Sequence, residues 1–355
     1  MDPINPMQTD GFEFVEFTAA DAEGLRQLGE LFLALGFAAV ARHRHRDVTL
    51  YRQGDIHFIV NAEPVAPFAD FAHQHGPSVC AMAWRVKDAA QAYDYALAHG
   101  AKTYAHPVGA MELNIPAIEG IGGSAIYLVD RYGGPDIYEV DFEPLPGAPT
   151  VVPGAGLRTI DHLTHNVARG NLDLWADFYT SIANFREIRY FDIEGKLTGL
   201  TSRAMVSPCG KIRIPINQSA DDKSQIEEFL HRYHGEGIQH IALSSDDIYR
   251  TVETLRAAGM CFLDTPETYY GRIDARLPGH GESVARLRDN RILIDGAPEQ
   301  GGGILLQIFT ETVIGPVFFE IIQRKGNDGF GEGNFKALFE SIEEDQLRRG
   351  VLTTS

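Results

Sequence analysis

Two segments of this chain repeat each other. Residues 75–101 and 234–260 align without a gap, so that His75 matches His234 at an offset of 159 residues. Each copy has the pattern of a β-strand that leads into an amphipathic helix. At 355 residues the chain is longer than a typical single domain and can form two, each with a full core. The repeat therefore predicts two copies of one module rich in βα units.

Three apolar segments of the second half each contain one side chain of a type that binds metal ions. These are His162, His240 and Glu320, spaced 78 and 80 residues apart, so we expect each on a different strand. Glu320 lies between aromatic and isoleucine residues, where an unpaired carboxylate would cost several kcal/mol. Two histidines and a carboxylate on one side of an ion leave the other side open, as in non-haem Fe(II) oxygenases. The pattern predicts a metal site.

The predicted domains are residues 1–148 and 157–355, and the segment between them is rich in proline and glycine. The offset of the repeat places Ala81 opposite His240, so only the second copy has a histidine there. This indicates a duplication after which one metal site was lost. We expect the N-terminal half to be a scaffold and the C-terminal half to be catalytic.

Two looser matches extend the repeat. Residues 137–141 align with 318–322 and keep a carboxylate. The first strand carries Glu13 and Glu16 where the second half has His162. We expect these segments to be strands in equivalent positions.

Charge and composition narrow the range of partners. The formal net charge of −18 argues against nucleic acid and anionic membranes, so an anionic substrate would need a local cation. Residues 1–11 lack the pattern of a signal peptide, and no run of 18 apolar residues occurs. Three widely spaced cysteines do not predict a disulfide framework. We expect a cytoplasmic protein that forms a homo-oligomer, a dimer or a tetramer.

A series of motifs in the second half carries a family resemblance. In chain order they are DHLTHNV, GLTSRAM, RIPIN, KSQIEEFL, GEGIQHIAL, ILLQIFTE, GPVFFEIIQRKG and GFGEGNFKALFESIE. Together they resemble the 4-hydroxyphenylpyruvate dioxygenase family and its relative, hydroxymandelate synthase. The match runs from about Gly11 to the C-terminus and is most specific in the second half.

The resemblance implies a fold and a ligand set. The fold is α+β, with tandem βαβββ vicinal-oxygen-chelate modules that form two half-open barrels. His162, His240 and Glu320 are implied to bind Fe(II). The substrate pocket is implied to contain polar and aromatic side chains, namely Ser202, Asn217, Gln225, Gln239, Gln307, Phe309, Phe318, Phe330 and Phe335. Of these, Ser202, Asn217, Gln239 and Gln307 are the implied catalytic residues.

The C-terminal segment predicts a lid helix. Asn334 can cap a helix in which Phe335, Leu338, Phe339 and Ile342 recur at three- and four-residue spacing. Several glycines precede it and give the chain freedom to open and close over a site.

The implied reaction converts 4-hydroxyphenylpyruvate and O₂ to homogentisate and CO₂, in tyrosine and phenylalanine catabolism. Its steps are oxidative decarboxylation, ring hydroxylation and side-chain migration. Hydroxymandelate synthase is the nearest alternative, and it hydroxylates the benzylic carbon of the same substrate; the sequence GNF at residues 333–335 favours ring hydroxylation.

Two other hypotheses stay open. A ring-cleaving dioxygenase of the same fold would use His165 as its acid or base. A non-catalytic binding protein would have an incomplete set of metal ligands.

Overall fold

The computed structural model describes residues 4–109, 111–194, 199–222, 224–334 and 336–337. Within these residues the strands form two eight-stranded mixed sheets. The first sheet consists of β1 (Thr9–Thr18), β2 (Ala38–His43), β3 (Val48–Gln53), β4 (Ile56–Asn61), β5 (Ser78–Val86), β6 (Ala117–Glu119), β7 (Ala125–Val129) and β8 (Phe142–Pro144). The second consists of β9 (Leu157–Val167), β10 (Arg186–Glu194), β11 (Gly199–Val206), β12 (Arg213–Ser219), β13 (Gly237–Ser245), β14 (Leu293–Gly296), β15 (Ile304–Phe309) and β16 (Phe318–Lys325).

Helices connect and cover the strands. They are α1 (Ala22–Ala34), α2 (Phe68–His75), α3 (Ala89–Ala98), α4 (Ile137–Asp141), α5 (Leu172–Ala183), α6 (Gln225–Tyr233), α7 (Ile248–Ala257), α8 (Glu267–Tyr270), α9 (Ile273–Arg276) and α10 (Val284–Asn290), with short 3₁₀ turns at Ile121–Gly123 and Pro298–Gln300. In the described ranges, no helix combines the length and apolar character that a membrane crossing needs. The predicted lid helix lies largely outside the described residues, as does Phe335.

The two sheets share one strand arrangement. The first has the order β6-β7-β5-β1-β4-β3-β2-β8, and the second has the order β10-β11-β12-β9-β13-β16-β15-β14. Seven strands of each sheet correspond when one of the two orders is reversed. In both sheets the central strand, β1 or β9, pairs antiparallel with one neighbour and parallel with the other. Each half starts with a βαβββ unit, β1-α1-β2-β3-β4 or β9-α5-β10-β11-β12. The tandem modules predicted from the sequence are therefore confirmed.

The internal repeat is confirmed at the level of single residues. β5 (Ser78–Val86) and β13 (Gly237–Ser245) begin and end at the predicted offset of 159 residues. The helices that follow them, α3 and α7, keep the same offset, and each begins after an aspartate whose side chain accepts a hydrogen bond from the first turn. Equivalent residues of the two halves can therefore be identified from strand pairing.

The looser match of residues 137–141 with the Glu320 strand is wrong. These residues form the short helix α4, and the Asp136 side chain caps it by accepting a hydrogen bond from the Glu139 backbone N–H. The true counterpart of β16 is β7, because β7 pairs parallel with β5 as β16 pairs parallel with β13. A side chain that caps a helix end favours helix over strand at this point.

Pairing also identifies the first-half residues at the positions of the three metal-type side chains. His162 pairs with Ala242 in the second sheet, and Phe14 pairs with Ala83, the repeat partner of Ala242, in the first. Phe14 is therefore the counterpart of His162, and the expectation that Glu13 or Glu16 takes this place is wrong. By the same reasoning Ala81 corresponds to His240, and Tyr127 to Glu320.

Aromatic side chains join the two halves in one continuous core. Trp84 of β5 stacks on Phe185 with 5.3 Å between ring centroids, and Phe58 of β4 lies 5.9 Å from Phe319 of β16. These rings are fully buried. Because aromatic pairs of this kind contribute about 0.5–1.5 kcal/mol beyond their buried area, they fix the two sheets against each other. The strand that carries Glu320 thus has a rigid support behind it.

Candidate metal centre

Three neighbouring strands, β9, β13 and β16, bring His162, His240 and Glu320 together. Ala242 of β13 pairs with His162 on one side and with Glu320 on the other, so these two residues lie level across the sheet. One potential donor atom from each of the three buried side chains lies within 4.8 Å of the others. The structure therefore gathers the predicted ligands at one point.

Hydrogen bonds orient both imidazoles toward Glu320. Nδ1 of His162 lies 2.8 Å from Asp161 Oδ1, and Nδ1 of His240 lies 2.8 Å from Gln239 Oε1. Their Nε2 atoms face Glu320 Oε2 at 3.2 and 3.4 Å. An imidazole that donates its Nδ1–H to an acceptor presents the Nε2 lone pair to a metal ion. Both rings are therefore held in the tautomer that a metal site requires.

The electrostatics of the three side chains favour a cation between them. Burial alone would raise the pKa of Glu320, but the two imidazoles outweigh it and lower this pKa to about 2. Burial would lower the pKa of His162, but Glu320 and Asp161 outweigh it and raise this pKa. Burial lowers the pKa of His240. An ionised carboxylate in the interior requires positive charge beside it, which a divalent ion can supply.

The donor set fits a divalent transition metal. Glu320 Oε1 is buried, and no described residue offers it a hydrogen bond. A buried carboxylate oxygen without a partner costs free energy unless a ligand completes it. Two imidazole nitrogens and one carboxylate suit Fe(II), Mn(II), Co(II) or Zn(II). The residues present are therefore a possible His-His-Glu metal site.

Two charged side chains, Asp161 and Arg324, form a hydrogen-bonded chain that begins at His162. Both oxygens of Asp161 accept hydrogen bonds from the Arg324 guanidinium at 2.8 Å. This arginine holds the pKa of Asp161 well below its usual range, although burial opposes the shift. Arg324 also donates to the backbone carbonyls of Asn327 and Gly329, and its guanidinium lies 5.6 Å from the Phe330 ring centroid. One arginine thus links a metal-type histidine to the glycine-rich segment that follows β16.

A cavity of about 50 Å³ opens beside the three residues. Two neighbouring strands each contribute two side chains to it, Leu200 and Ser202 from β11 and Pro215 and Asn217 from β12. Ser202 lies directly opposite Asn217 in the pairing of these strands. The rest of its lining is largely aromatic or acidic and comprises His162, Thr164, Phe191, His240, Phe309, Glu320, Phe330 and Glu332. The cavity therefore offers a metal-type end, aromatic walls and a hydrogen-bonding pair.

Of the other residues predicted for the pocket, those that the structure describes do not line this cavity. Gln225 is exposed at the first residue of α6, and Gln239 contacts His240 through its side chain. Gln307 is buried, and its Oε1 has no partner among the described residues. Phe318 stacks on the His240 ring with 4.8 Å between centroids. Phe335 lies outside the described residues.

Five residues that line the cavity were not predicted from the sequence: Thr164, Phe191, Leu200, Pro215 and Glu332. A signal for three of them was available, because side chains two positions apart on a strand point to one face. Thr164, Leu200 and Pro215 each lie two residues from a side chain that was predicted to line the site. No comparable pattern marks Phe191 or Glu332.

Gly331 is a position where a small change is expected to disturb the cavity. Its φ is +79°, and an added Cβ would overlap the amide of Gln307. We expect Gly331→Ala to cost about 1–2 kcal/mol of stability and to raise the KM for substrate, since Gln307 or the adjacent Phe330 must move. Thermal denaturation and steady-state kinetics test this. Gly134→Ala is the control, because a Cβ there meets open space; an unchanged KM in Gly331→Ala would contradict the prediction.

Family comparisons agree with these observations. The family described as "Hydroxyphenylpyruvate dioxygenase, HPPD, N-terminal" matches residues 4–143, and "Glyoxalase/Bleomycin resistance protein/Dioxygenase superfamily" matches residues 159–273. Among solved structures, a triple mutant of 4-hydroxymandelate synthase from Streptomyces coelicolor aligns with a TM-score of 0.81 at 28% identity. The alignment covers 96% of this chain and 100% of that one.

Two curated relatives match over nearly the full length of the chain. "Hemolysin VllY" of Vibrio vulnificus is 67% identical and covers 100% of both sequences. The 4-hydroxyphenylpyruvate dioxygenase of Pseudomonas aeruginosa is 64% identical over 98% of this chain and 97% of its own. With two matching family domains and relatives of this similarity, the chain belongs to the 4-hydroxyphenylpyruvate dioxygenase family.

Proposed function

We propose that this enzyme converts 4-hydroxyphenylpyruvate and O₂ to homogentisate and CO₂ with Fe(II) bound by His162, His240 and Glu320. The observation that carries the proposal is the buried His-His-Glu group at an aromatic-lined cavity, in a chain 64% identical to a 4-hydroxyphenylpyruvate dioxygenase. The N-terminal half, residues 1–148, supports the catalytic half, residues 157–355. The same family membership suggests a role in tyrosine and phenylalanine catabolism.

When bound, the iron ion supplies the redox chemistry and open coordination positions for dioxygen and for the 2-oxo acid group. The protein contributes position and environment. Phe309 and Phe330 enclose the aromatic ring of the substrate and exclude water from it. Ser202 and Asn217, which face each other on adjacent strands, hydrogen-bond to the phenol hydroxyl and so set the distance of the ring from the metal end.

Gln239 and Gln307 act less directly in this proposal. The Gln239 side-chain oxygen accepts a hydrogen bond from the His240 Nδ1–H at 2.8 Å and thereby orients the imidazole. Gln307 does not line the cavity, but its amide lies against Gly331, next to Phe330 of the lining, and so supports that ring. Phe318 packs on the His240 ring and holds it in place.

Substrate binding is expected to depend on the metal. The substrate is an anion, whereas Glu320 and Glu332 line the cavity and none of its described lining residues is an arginine or lysine. Removing the ion with a chelator is therefore expected to weaken 4-hydroxyphenylpyruvate binding by more than about 10-fold, because the anion would then face the Glu320 and Glu332 carboxylates without the charge of the metal. Anaerobic calorimetry on the Fe(II)-loaded and metal-free protein measures this. Equal affinity in the two forms would contradict the proposed binding mode.

The regiochemistry is tested by the product. We expect oxygen consumption by the Fe(II)-reconstituted protein with 4-hydroxyphenylpyruvate to yield homogentisate, identified by mass and chromatography. Sequence identity favours homogentisate as the product, because the chain is 64% identical to the dioxygenase and 28% identical to the hydroxymandelate synthase structure. Hydroxymandelate as the product would keep the substrate and overturn the regiochemistry. Reconstitution with Mn(II), Co(II) or Zn(II) in place of Fe(II) tests the identity of the metal.

The ring-cleavage alternative is disfavoured by the position of its required acid or base. His165 is fully buried, its ring packs against Tyr179 of α5, and its Nε2 lies 2.7 Å from the Tyr179 hydroxyl. Burial lowers the pKa of His165 to about 3, so it stays neutral at physiological pH. It is not among the residues that line the cavity. The non-catalytic alternative required an incomplete ligand group, whereas all three residues are present.

A further inference from the structure

The first sheet contains a second cavity, and it is the larger of the two. Its volume is about 100 Å³, against about 50 Å³ for the cavity beside His162. Side chains of β1, β3, β4 and β7 contribute to it, and these are the strands that correspond to those around the candidate metal centre. The first half therefore has a cavity at the position that corresponds to the candidate metal centre, although it lacks the metal-type side chains.

Strand pairing relates the two cavities residue by residue. Glu16 pairs with Ala81 in the first sheet as Thr164 pairs with His240 in the second, and Ala81 and His240 are repeat partners. Glu16 is therefore the counterpart of Thr164, and both line their cavities. The first half has gained a carboxyl group at a position where the second half has a hydroxyl.

Asn61 and Asn217 correspond in the same way. Asn61 pairs with Thr18 at the end of β1, and Asn217 pairs with Asn166 at the equivalent position of β9. Both asparagines line their cavities. Although the metal-type residues were lost, the first half thus retains an amide where the proposed substrate pocket has one.

Glu16 is a buried acid without a charged partner. It is 5% exposed, and its Oε1 accepts a hydrogen bond from Asn61 Nδ2 at 2.6 Å. Across the described residues, no ion pair involves Glu16. Its neighbour Glu13 differs, because it pairs with Arg85. Burial raises the pKa of Glu16 to about 7, although the Asn61 hydrogen bond and the more distant charge of Arg46 oppose the shift. A buried carboxylate of this kind is stabilised by a ligand that brings a positive charge.

The other charges of the cavity do not supply that cation. Arg46 lines the cavity, but its guanidinium is paired with the Glu112 carboxylate. The Arg46 Nε–H donates to both Glu112 oxygens, at 3.0 and 3.1 Å. Asp141, also in the lining, accepts the backbone N–H of Leu113. Carboxylates therefore outnumber guanidinium groups, and the field in the cavity favours a cation over an anion.

Aromatic rings form much of the remaining wall. Phe14 and Tyr127 lie 5.6 Å apart, His106 lies 5.3 Å from Tyr127, and His43 lies 5.1 Å from Phe142. All five rings line the cavity. Such walls accept a flat ring by edge and face contacts, and the faces of phenyl and phenol rings also attract cations.

We propose that the N-terminal half binds a small aromatic amine in this cavity, with the protonated amine paired to Glu16 and Asn61 and the ring packed against Phe14 and Tyr127. The N-terminal half would then be a ligand-binding unit as well as a support for the catalytic half. The proposal rests on the geometry of the first sheet and does not depend on the reaction at the second.

The test is calorimetric titration of the metal-loaded full chain with tyramine and with its neutral analogue tyrosol, which has a hydroxyl in place of the amine. We expect one tyramine site in the N-terminal half, with affinity about 10-fold or more above that for tyrosol, because only the amine can pair with the buried carboxylate. Glu16→Gln keeps the shape of the side chain and is expected to remove this preference. Glu119→Gln, an exposed carboxylate on the same sheet, is the control and should leave it intact.

Three results would overturn the proposal. Tyramine could fail to bind at millimolar concentration, tyrosol could bind equally well, or the preference for tyramine could survive Glu16→Gln. Loss of tyramine binding in Asn217→Ala but not in Glu16→Gln would assign the amine to the catalytic cavity and overturn it as well. Ile59→Phe, which narrows the N-terminal cavity and leaves the Glu16 carboxyl group in the chain, is expected to abolish binding too. Thermal denaturation of Glu16→Gln and Ile59→Phe checks that the fold of each variant is intact.

Discussion

Replacing Glu320 with glutamine is expected to leave the protein without bound metal and without measurable oxygen consumption. The carboxylate is the one anionic member of the His-His-Glu group, and one of its oxygens has no other partner among the described residues. A neutral amide cannot balance a divalent ion between two imidazoles. Loss of an outer-shell partner alone costs about 10- to 100-fold in metal affinity, so we expect Glu320→Gln to cost more.

The measurement is metal content after reconstitution and dialysis, together with the rate of oxygen uptake. Glu311→Gln serves as the matched control, because Glu311 is exposed in the segment between β15 and β16. It should retain full metal content and activity. Metal content equal to that of the unmodified protein in Glu320→Gln would sink the assignment of Glu320 as a ligand.

Replacing Asp161 with asparagine is expected to weaken metal binding by about 10- to 100-fold without removing any ligand. Asp161 accepts the His162 Nδ1–H and both arms of the Arg324 guanidinium. An amide can still accept from His162, but it leaves Arg324 without its anion in a position that is largely buried. Breaking a buried pair in this way costs about 3 kcal/mol or more of stability.

Metal titration and thermal denaturation separate these two effects of Asp161→Asn. Asp177→Asn is the control, since Asp177 is exposed on α5 and the same change of charge should then have no effect on either quantity. If Asp161→Asn lowers the melting temperature but leaves metal affinity unchanged, Asp161 supports the fold and does not orient His162.

The three metal-type residues could be predicted because their sequence surroundings conflict with their chemistry. A carboxylate between phenylalanines and isoleucines has to be buried, and burial requires a positive partner. His162 and His240 lie in runs of similar character, and the even spacing assigns each to a separate strand. The motif order then identifies the family, and with it the tandem modules.

The rest of the cavity depends on how the strands pair, which composition does not determine. Phe191 lies on the outer strand β10 and reaches the cavity because it pairs with Ser202. Glu332 comes from the segment after β16, just before the periodic pattern that begins at Phe335. Neither position can be inferred without the register of β10 and the path of the chain after the last strand.

The mistaken match at residues 137–141 has a similar physical origin. The segment Ile-Tyr-Glu-Val-Asp alternates like a strand, but Asp136 before it caps a helix through the Glu139 N–H. The capping bond favours the helix, whereas the side-chain pattern left both structures open. Strand pairing, which is not visible in the sequence, showed instead that β7 is the equivalent of the Glu320 strand.

The equivalence of Phe14, Ala81 and Tyr127 to the three metal-type residues gives a plan for protein design. These residues lie on β1, β5 and β7, three adjacent strands with the same relative directions as β9, β13 and β16. The substitutions Phe14→His, Ala81→His and Tyr127→Glu would rebuild the ligand group in the first sheet, with backbone hydrogen bonds setting the separation of its members. One chain would then carry two equivalent centres, related by the internal repeat.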